Sequence, residues 1–159
     1  DVHSYNEPKQ QQEKNMSLIR DTIASKGNEV LTISGRASVF DAISSISEAN
    51  VGAIVIQDGD QPGGIFTERD YLRKIALQGR SSSDTVVSDV MSAPLITVEL
   101  SSSTRDAMEI MTERRCRHLV VTENGKMAGI VSLGDLVKQM LQEKEAEVEQ
   151  LSSYISGSY

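Results

Sequence analysis

The sequence predicts an α/β fold built from two copies of one β-α-β-β-α unit. Residues 31–77 overlay residues 96–142 without a gap, and the 47 aligned pairs include nine identities. Apolar positions keep the same phase in both copies, so that Ile43, for example, corresponds to Met108. A repeat that preserves its apolar phase indicates two copies of one structural unit. With 159 residues and 38% hydrophobic content, the chain has enough material for two small units that share a core.

Each copy opens with a short strand, expected at residues 30–33 and 95–98, that leads through a Ser-rich turn into a helix. Apolar residues at helical spacing indicate the helix. Ser38 and Ser103 stand immediately before it, where a hydroxyl oxygen accepts a hydrogen bond from a backbone N–H group of the first turn. We therefore expect both serines to be N-caps.

Two more strands and a second helix complete each unit. Runs rich in β-branched residues end at the turn signals Asp58-Gly59 and Asn124-Gly125, which are typical of hairpins. The strands of these hairpins are expected at residues 51–56, 64–66, 116–121 and 129–131.

The chain divides into five segments by composition. The polar, Gln-rich lead is predicted to be disordered because it offers almost nothing to a core. The segments are the lead (1–15), the first repeat (16–77), a Gly- and Ser-containing linker (78–85), the second repeat (86–142) and a C-terminal helix extension and tail (143–159).

An apolar stripe continues along the last helix. Leu141, Val148 and Ile155 are spaced by seven residues, which is typical of a helix that packs on a partner. Val137 and Leu151 lie on the adjoining seam, together with Lys144. The stripe either contacts a second subunit or lies back on its own domain.

Composition excludes several classes of protein. The net charge of −7 opposes binding to nucleic acid or to an anionic membrane surface. The sequence contains no stretch of about 20 apolar residues, so no membrane span is predicted. With a single cysteine the chain cannot form an internal disulfide framework, and with one cysteine and two histidines the sequence shows no metal-site motif. We expect a soluble, intracellular protein. Because the first residue is Asp1, a removed targeting segment is also compatible with the sequence.

One motif recurs where the last strand of each unit turns into the second helix. It consists of Gly, two apolar residues, a hydroxyl residue, two variable residues and Asp, at residues 64–70 and 129–135. A carboxylate can accept hydrogen bonds from both hydroxyls of a ribose, while the Thr67 or Ser132 hydroxyl and nearby N–H groups suit ribose or phosphate. The preceding glycine would permit close approach of a ligand. Thr-x-x-Asp and Ser-x-x-Asp also approximate a helix capping box, a role that is compatible with ligand binding.

These features together resemble a tandem cystathionine β-synthase (CBS) domain pair, also called a Bateman module. The resemblance rests on the repeat, the two Gly…Asp corners, Asp-Val-Met at residues 89–91 and Arg-His-Leu-Val-Val at residues 117–121. It covers residues 16–142. Thr-Glu-Arg-Asp-Tyr-Leu-Arg-Lys at residues 67–74 and the ending Tyr-Ile-Ser-Gly-Ser-Tyr further resemble stand-alone single-pair proteins such as the plant CBSX group.

The resemblance implies a disc-like homodimer of pseudo-two-fold pairs that bind AMP, ADP, ATP or S-adenosylmethionine in clefts between repeats, with no required cofactor. One cleft would hold the sugar with Ser132 and Asp135, frame the base with Val30 and Leu31, and face the phosphate with Arg117 and His118. The other would use Thr67, Asp70, Leu95 and Ile96.

The two clefts are not equivalent in sequence. Gly52 and Ala53 stand where the second repeat has Arg117 and His118, so the Asp70 cleft lacks that cationic strand. Arg69 is positioned to compensate, or is a solvated residue at the helix start. Cys116 alternates with residues expected to face the cleft, which predicts an inert thiol in the core.

We therefore expect a regulatory adenosine-nucleotide sensor that modulates a partner protein, and not an enzyme. The plant resemblance implies a thioredoxin-type partner, and a mitochondrion or chloroplast as the compartment, with the cytoplasm otherwise. The alternatives are a structural dimerisation module with degenerate clefts and a binder of S-adenosylmethionine-type ligands.

Overall fold

The computed structural model describes residues 17–156 and has the expected α/β fold of two similar halves. The lead predicted at residues 1–15 and the end of the tail, residues 157–159, lie outside the described residues. The first half contains α1 (Ile19–Lys26), β1 (Thr32–Ile33), α2 (Val39–Ala49), β2 (Ala53–Asp58), β3 (Gln61–Thr67) and α3 (Glu68–Asp70), which continues as a π-helical segment (Tyr71–Ala76).

The second half repeats this order after a short 3₁₀ helix (Val87–Asp89). It contains β4 (Thr97–Glu99), α4 (Thr104–Arg114), β5 (His118–Glu123), β6 (Lys126–Ser132) and α5 (Leu133–Ser156).

Each half builds its own three-stranded sheet with the same pairing. The first sheet has the order β1-β2-β3 and the second β4-β5-β6; the first pair of strands in each is parallel and the second antiparallel. Ala53 pairs with Thr67, as His118 pairs with Ser132. Both hairpins shift register at the equivalent step, after Ile56 and after Val121. The two repeats therefore agree to the level of single residues.

The first helix of each repeat begins at the predicted cap. Ser38 Oγ accepts a hydrogen bond from the Asp41 amide at 3.1 Å, and Ser103 Oγ accepts one from the Asp106 amide at 3.0 Å. A side-chain acceptor at this position satisfies a backbone donor that has no partner inside the helix. The N-cap prediction is confirmed in both repeats.

The segment that precedes each repeat packs on the other repeat. Ser17 O accepts a hydrogen bond from the Thr104 amide at 3.0 Å, and Thr85 O accepts one from the Val39 amide at 2.9 Å. These contacts are equivalent in the two halves, and they lead into α1 and the 3₁₀ helix respectively. Each half is thus completed by the segment that precedes the other repeat. The sequence did not indicate this exchange of segments.

Two apolar clusters form the core, one beneath each sheet. The clusters are centred on Ile54, Ile56, Phe66 and Val87 in the first half and on Ile19, Leu119, Val121 and Leu136 in the second, and all eight side chains are at most 2% exposed. Burial of large aliphatic and aromatic side chains is the main stabilising contribution to such a fold.

The C-terminal part of α5 extends away from both clusters. Val148 and Leu151 are 60% and 62% exposed, so the apolar stripe does not lie back on its own domain. Lys144 points to solvent and pairs with Glu147 at 3.3 Å. Across residues 17–156, no helix is both long and apolar enough to cross a bilayer.

Candidate functional site

The Asp135 corner lies at the junction of β6 and α5. The Ser132 amide donates to Asp135 Oδ2 at 2.8 Å, and the Asp135 amide donates to Ser132 Oγ at 3.1 Å. This reciprocal pair is a capping box, which confirms the capping interpretation of the motif. Lys26, the last residue of α1, adds a hydrogen bond and ion pair from Nζ to Asp135 Oδ2 at 2.6 Å. Within residues 17–156, Asp135 Oδ1 receives no hydrogen bond.

The Asp70 corner has the same capping box but a more occupied carboxylate. Asp70 Oδ2 accepts from the Thr67 amide at 3.1 Å, while Oδ1 accepts from Ser92 Oγ at 3.0 Å and lies 3.1 Å from Lys74 Nζ. The Asp70 side chain is 12% exposed, against 25% for Asp135. Both oxygens of Asp70 are engaged, so a ribose would have to share an oxygen with one of these partners or displace it.

The glycines of the two motifs lie against packed side chains. A Cβ built on Gly129 would lie 2.7 Å from Cδ1 of Ile23, and one built on Gly64 would lie 2.6 Å from Sδ of Met91. These contacts are far inside van der Waals distance, so each glycine makes room for the preceding segment packed on its half. That the glycines also permit close approach of a ligand stays a prediction.

His118 lies where the two halves meet. A Cβ built on Gly52 would lie 3.2 Å from its Nε2 atom, so the small residue at the equivalent position of the first repeat leaves room for the imidazole. The His118 pKa is lowered from its usual value, first because burial disfavours the cation and also because of the positive charges of Lys26 and Arg117. Asp135 and Glu68 act in the opposite direction.

The charges around Asp135 keep that carboxyl ionised. Burial acts to raise its pKa, but the hydrogen bonds from Lys26 and the Ser132 amide lower the pKa overall. Arg117, next to His118, is exposed at the start of β5. The Asp135 corner therefore combines one open carboxylate oxygen with three nitrogen groups able to carry positive charge, those of Lys26, Arg117 and His118.

The entry strands take similar places in the two halves. Leu31 O accepts from the Val55 amide at 2.9 Å, as Ile96 O accepts from the Val120 amide at 3.2 Å. Val30 and Leu31 are half-buried, as are Leu95 and Ile96. A framing role for Val30 and Leu31 beside Asp135 stays a prediction.

A cavity of about 790 Å³ lies on the Asp70 side. Its lining includes Leu95 and Ile96 with Lys74 and Ser92, the partners of Asp70, and also Arg114. The volume is in the range of small-molecule sites. Asp70 itself does not line the cavity. Leu95 and Ile96 therefore share one cavity with Lys74 and Ser92, the partners of Asp70.

Arg69 is directed away from the Asp70 carboxylate. Its Nη1 atom donates to Arg115 O at 3.2 Å, at the end of α4. The cation that pairs with Asp70 is Lys74, one helical turn further on. Lys74 also donates to Val90 O at 2.9 Å.

The thiol of Cys116 takes no part in these corners. Burial raises the pKa of the half-buried Cys116 thiol, which agrees with an inert cysteine packed against the core. In the part of the chain that the structure describes, no three His, Cys, Asp or Glu side chains gather as a possible metal site.

Sequence reasoning missed both lysines that hold the carboxylates. Lys74 follows Asp70 by four residues, and this spacing places opposite charges together on a helix, so a signal was present. Lys26 is 109 residues from Asp135 and lies in a helix that the repeat does not include. No local pattern pointed to it.

Comparisons with known proteins agree with this architecture. The family model for the CBS domain matches residues 20–77 and 87–142. The mitochondrial CBS domain-containing protein CBSX3 of Arabidopsis thaliana is 41% identical over 152 residues, which cover 90% of this chain and 74% of that protein. The CBS domain-containing protein YhcV of Bacillus subtilis is 35% identical over 129 residues, covering 80% of this chain and 89% of that protein.

A solved structure gives the same result. A putative signal-transduction protein with CBS domains from Burkholderia ambifaria superposes with a TM-score of 0.77 at 42% identity, over 79% of this chain and 95% of the other. Its fold and both sequence matches coincide with the two halves described above. The chain therefore belongs to the CBS domain family, as a tandem pair of CBS domains.

Proposed function

We propose that this CBS pair is a regulatory sensor that binds an adenosine nucleotide, AMP, ADP or ATP, at the Asp135 corner. The observation that carries the proposal is the open oxygen of Asp135, which is ionised and beside three nitrogen cations or potential cations. A charge-assisted hydrogen bond from a ribose hydroxyl to such an oxygen is stronger than a neutral one. Ser132 supports the sugar, with Val30 and Leu31 placed to frame the base.

Charge favours a phosphate-bearing ligand at this corner. Arg117 is exposed, and the Lys26 side chain is 32% exposed, so both basic groups are accessible to an anionic ligand. The Asp70 corner offers its cavity and Lys74, but both oxygens of its carboxylate already accept contacts and its side chain is only 12% exposed. Asp135 keeps one oxygen without a hydrogen bond and is more exposed, which favours the Asp135 corner as the first site to fill.

One observation favours a second function, a structural dimerisation module with degenerate clefts. Each carboxylate already pairs with a lysine, Asp135 with Lys26 and Asp70 with Lys74, as would be expected if both served the fold alone. This alternative predicts no adenosine binding. S-adenosylmethionine is the remaining ligand alternative, and direct titration separates all three.

The regulated partner and the compartment are part of the same proposal. CBS pairs act in general as regulatory and not as catalytic modules, so ligand binding would change a homodimer and its affinity for another protein. Similarity to CBSX3, a mitochondrial protein by name, supports a mitochondrial location, and the partner we propose is of the thioredoxin type. Co-sedimentation with thioredoxin in the presence and absence of AMP tests the partner.

The central experiment is calorimetric titration of the full chain with AMP, ADP, ATP and S-adenosylmethionine, repeated on Asp135→Ala. We expect a nucleotide to bind the wild type, and Asp135→Ala to reduce the affinity by about 2–4 kcal/mol, because a charge-assisted pair of hydrogen bonds to the ribose is removed.

Asp106→Ala is the matched control, since Asp106 is an exposed acid in the first turn of α4 and is remote from both motifs in sequence. It should leave the affinity unchanged. Asp135→Asn keeps an acceptor for the Ser132 amide and separates capping from charge. Unchanged affinity in Asp135→Ala with reduced thermal stability would assign Asp135 to capping alone.

A further inference from the structure

Lys26 connects α1 to two elements of the second half. It ends α1, and its Nζ atom donates to Ile130 O of β6 at 3.0 Å and to Asp135 Oδ2 in the first turn of α5 at 2.6 Å. The ammonium group therefore covers the oxygen of Asp135 next to the one left open. Any ribose that reaches this carboxylate must share it with Lys26 or displace it.

The backbone that carries Lys26 is held independently of this ion pair. Ile19 is fully buried, Thr22 is buried, and Ile23 fills the space above Gly129. Gly27 ends the helix with a φ of 96°, in the left-handed region that favours glycine. Ile23, the last of these packed residues, lies three positions before Lys26, whose side chain is long and flexible, so Lys26 can change partner without moving the helix.

Lys74 does not have this freedom. It donates to Val90 O at 2.9 Å and to Ser92 Oγ at 3.3 Å, and it pairs with Asp70 from the same helical stretch. Three contacts hold its ammonium group between residues 90–92 and Asp70 of α3. Of these two carboxylate-bound lysines, Lys26 is the one placed to exchange its partner for a ligand.

Charge decides which ligands can open the pair. A ribose hydroxyl that donates to Asp135 brings no negative charge for Lys26, so uncharged adenosine weakens the ion pair without replacing it. A phosphate supplies a new anionic partner with strong acceptor oxygens. The sulfonium of S-adenosylmethionine instead adds positive charge near Lys26, Arg117 and His118.

We propose that Lys26 is a specificity-determining residue that exchanges Asp135 for the ligand's phosphate, and so selects phosphorylated adenosine ligands over adenosine and S-adenosylmethionine. This inference rests on the proposed nucleotide site at Asp135. It assigns a binding role to α1, an element outside the two aligned stretches, residues 31–77 and 96–142.

The test is calorimetric titration of wild type and Lys26→Met with AMP, adenosine and S-adenosylmethionine. The measured quantity is the ratio of the AMP affinity to the adenosine affinity. We expect Lys26→Met to lower this ratio roughly ten-fold, the value of one charge-assisted hydrogen bond. Adenosine should bind the variant as well as or better than it binds wild type, because no ion pair remains to be opened.

Lys26→Arg should keep the wild-type ratio, since it retains the charge, and circular dichroism confirms that each variant is folded. Lys126→Met is the matched control, because Lys126 is exposed at the far end of β6, and its ratio should equal that of wild type. An unchanged ratio in Lys26→Met would overturn this inference while leaving the nucleotide site in place. If the wild type binds none of the three ligands, both the proposed function and this inference are overturned.

Discussion

Asp70 and Asp135 occupy equivalent positions of the repeat but have different capacity for a ligand. Their capping boxes match bond for bond. The difference comes from Ser92 and Lys74, which take the second oxygen of Asp70, whereas Lys26 shares the oxygen of Asp135 that the cap already uses. Contacts from Ser92, Lys74 and Lys26, all outside the motif, thus decide whether the carboxylate serves the fold alone or can also bind a ligand.

His118 is the residue whose protonation should report on phosphate binding. Its pKa in the ligand-free chain is lowered by burial, Lys26 and Arg117, against the opposing effect of Asp135 and Glu68. A phosphate anion brought next to the ring favours the imidazolium and so raises the His118 pKa. Because the complex then holds the proton more strongly than the free protein, lowering the pH must strengthen binding.

We expect the affinity for AMP to rise as the pH falls from about 8 through and below the ordinary histidine pKa of about 6.5, because the His118 pKa of the free chain lies lower than that. His118→Ala should remove this dependence and cost roughly 1–2 kcal/mol of affinity at the acidic end. Calorimetric titration across that pH range measures both effects.

The phosphate of AMP itself titrates near pH 6, and the His118→Ala series corrects for it because the ligand is unchanged. Lys144→Ala, on the exposed part of α5, should follow the wild-type profile. Parallel pH profiles for wild type and His118→Ala would show that no phosphate lies near the imidazole.

At the scale of elements, the sequence predicted what the repeat contains. Helices α2 and α4 begin at the expected residues because their apolar spacing and N-cap serines are local signals. The third strand of each sheet begins earlier and ends later than predicted, at Gln61–Thr67 and not 64–66, and at Lys126–Ser132 and not 129–131. In the first sheet Pro62 and Gly63 are residues that weaken a strand signal. In the structure that stretch pairs with β2 as far as Asp58.

Helix α1 was not predictable by the same means. It is eight residues long, shorter than an isolated helix needs to be stable, and it has no counterpart in the repeat alignment. It is helical because Ile19 and Ile23 pack on the second half, a contact between residues about 80 or more apart in the chain. The contact between Lys26 and Asp135 could not be predicted for the same reason, since the position of Lys26 depends on α1.

The two N-caps allow a matched prediction for the elements. Ser38→Ala and Ser103→Ala should each reduce the free energy of unfolding by about 1 kcal/mol, because each leaves a first-turn N–H without its acceptor. Chemical denaturation followed by circular dichroism measures the change.

Ser47→Ala is the control, because Ser47 is exposed in the interior of α2, where alanine is the better helix former and should be neutral or slightly stabilising. A loss as large in Ser47→Ala as in Ser38→Ala would attribute the effect to something other than the cap.

For the whole molecule, the exchange of preceding segments explains why the two repeats behave as one body. Residues 17–26 complete the second half and residues 85–92 complete the first. The two halves are similar in backbone but differ in charge, with His118 at their junction over Gly52. The pseudo-two-fold arrangement supplies two comparable corners, and side chains outside the repeats make them unequal.

Apolar side chains remain exposed at equivalent places on the second helix of each repeat. Leu72 is 54% exposed, and Val137, its counterpart in the repeat, is 42% exposed. Exposed apolar residues related by a pseudo-two-fold axis form a patch that can meet the same patch of a second copy, the arrangement on which two-fold dimers are built. We therefore expect a homodimer that buries Leu72 and Val137.

The double variant Leu72→Glu/Val137→Glu should convert this dimer to monomer, because it places four like charges in an interface that would otherwise be apolar. Sedimentation velocity at micromolar concentration measures the change, and an unaltered circular dichroism spectrum shows that the fold is retained. Ala24→Glu adds a charge at an exposed position of α1 and should leave the dimer intact. If Val148→Glu/Leu151→Glu dissociates the dimer and the Leu72/Val137 variant does not, the C-terminal stripe is the interface. A monomeric wild type would refute dimerisation through either surface.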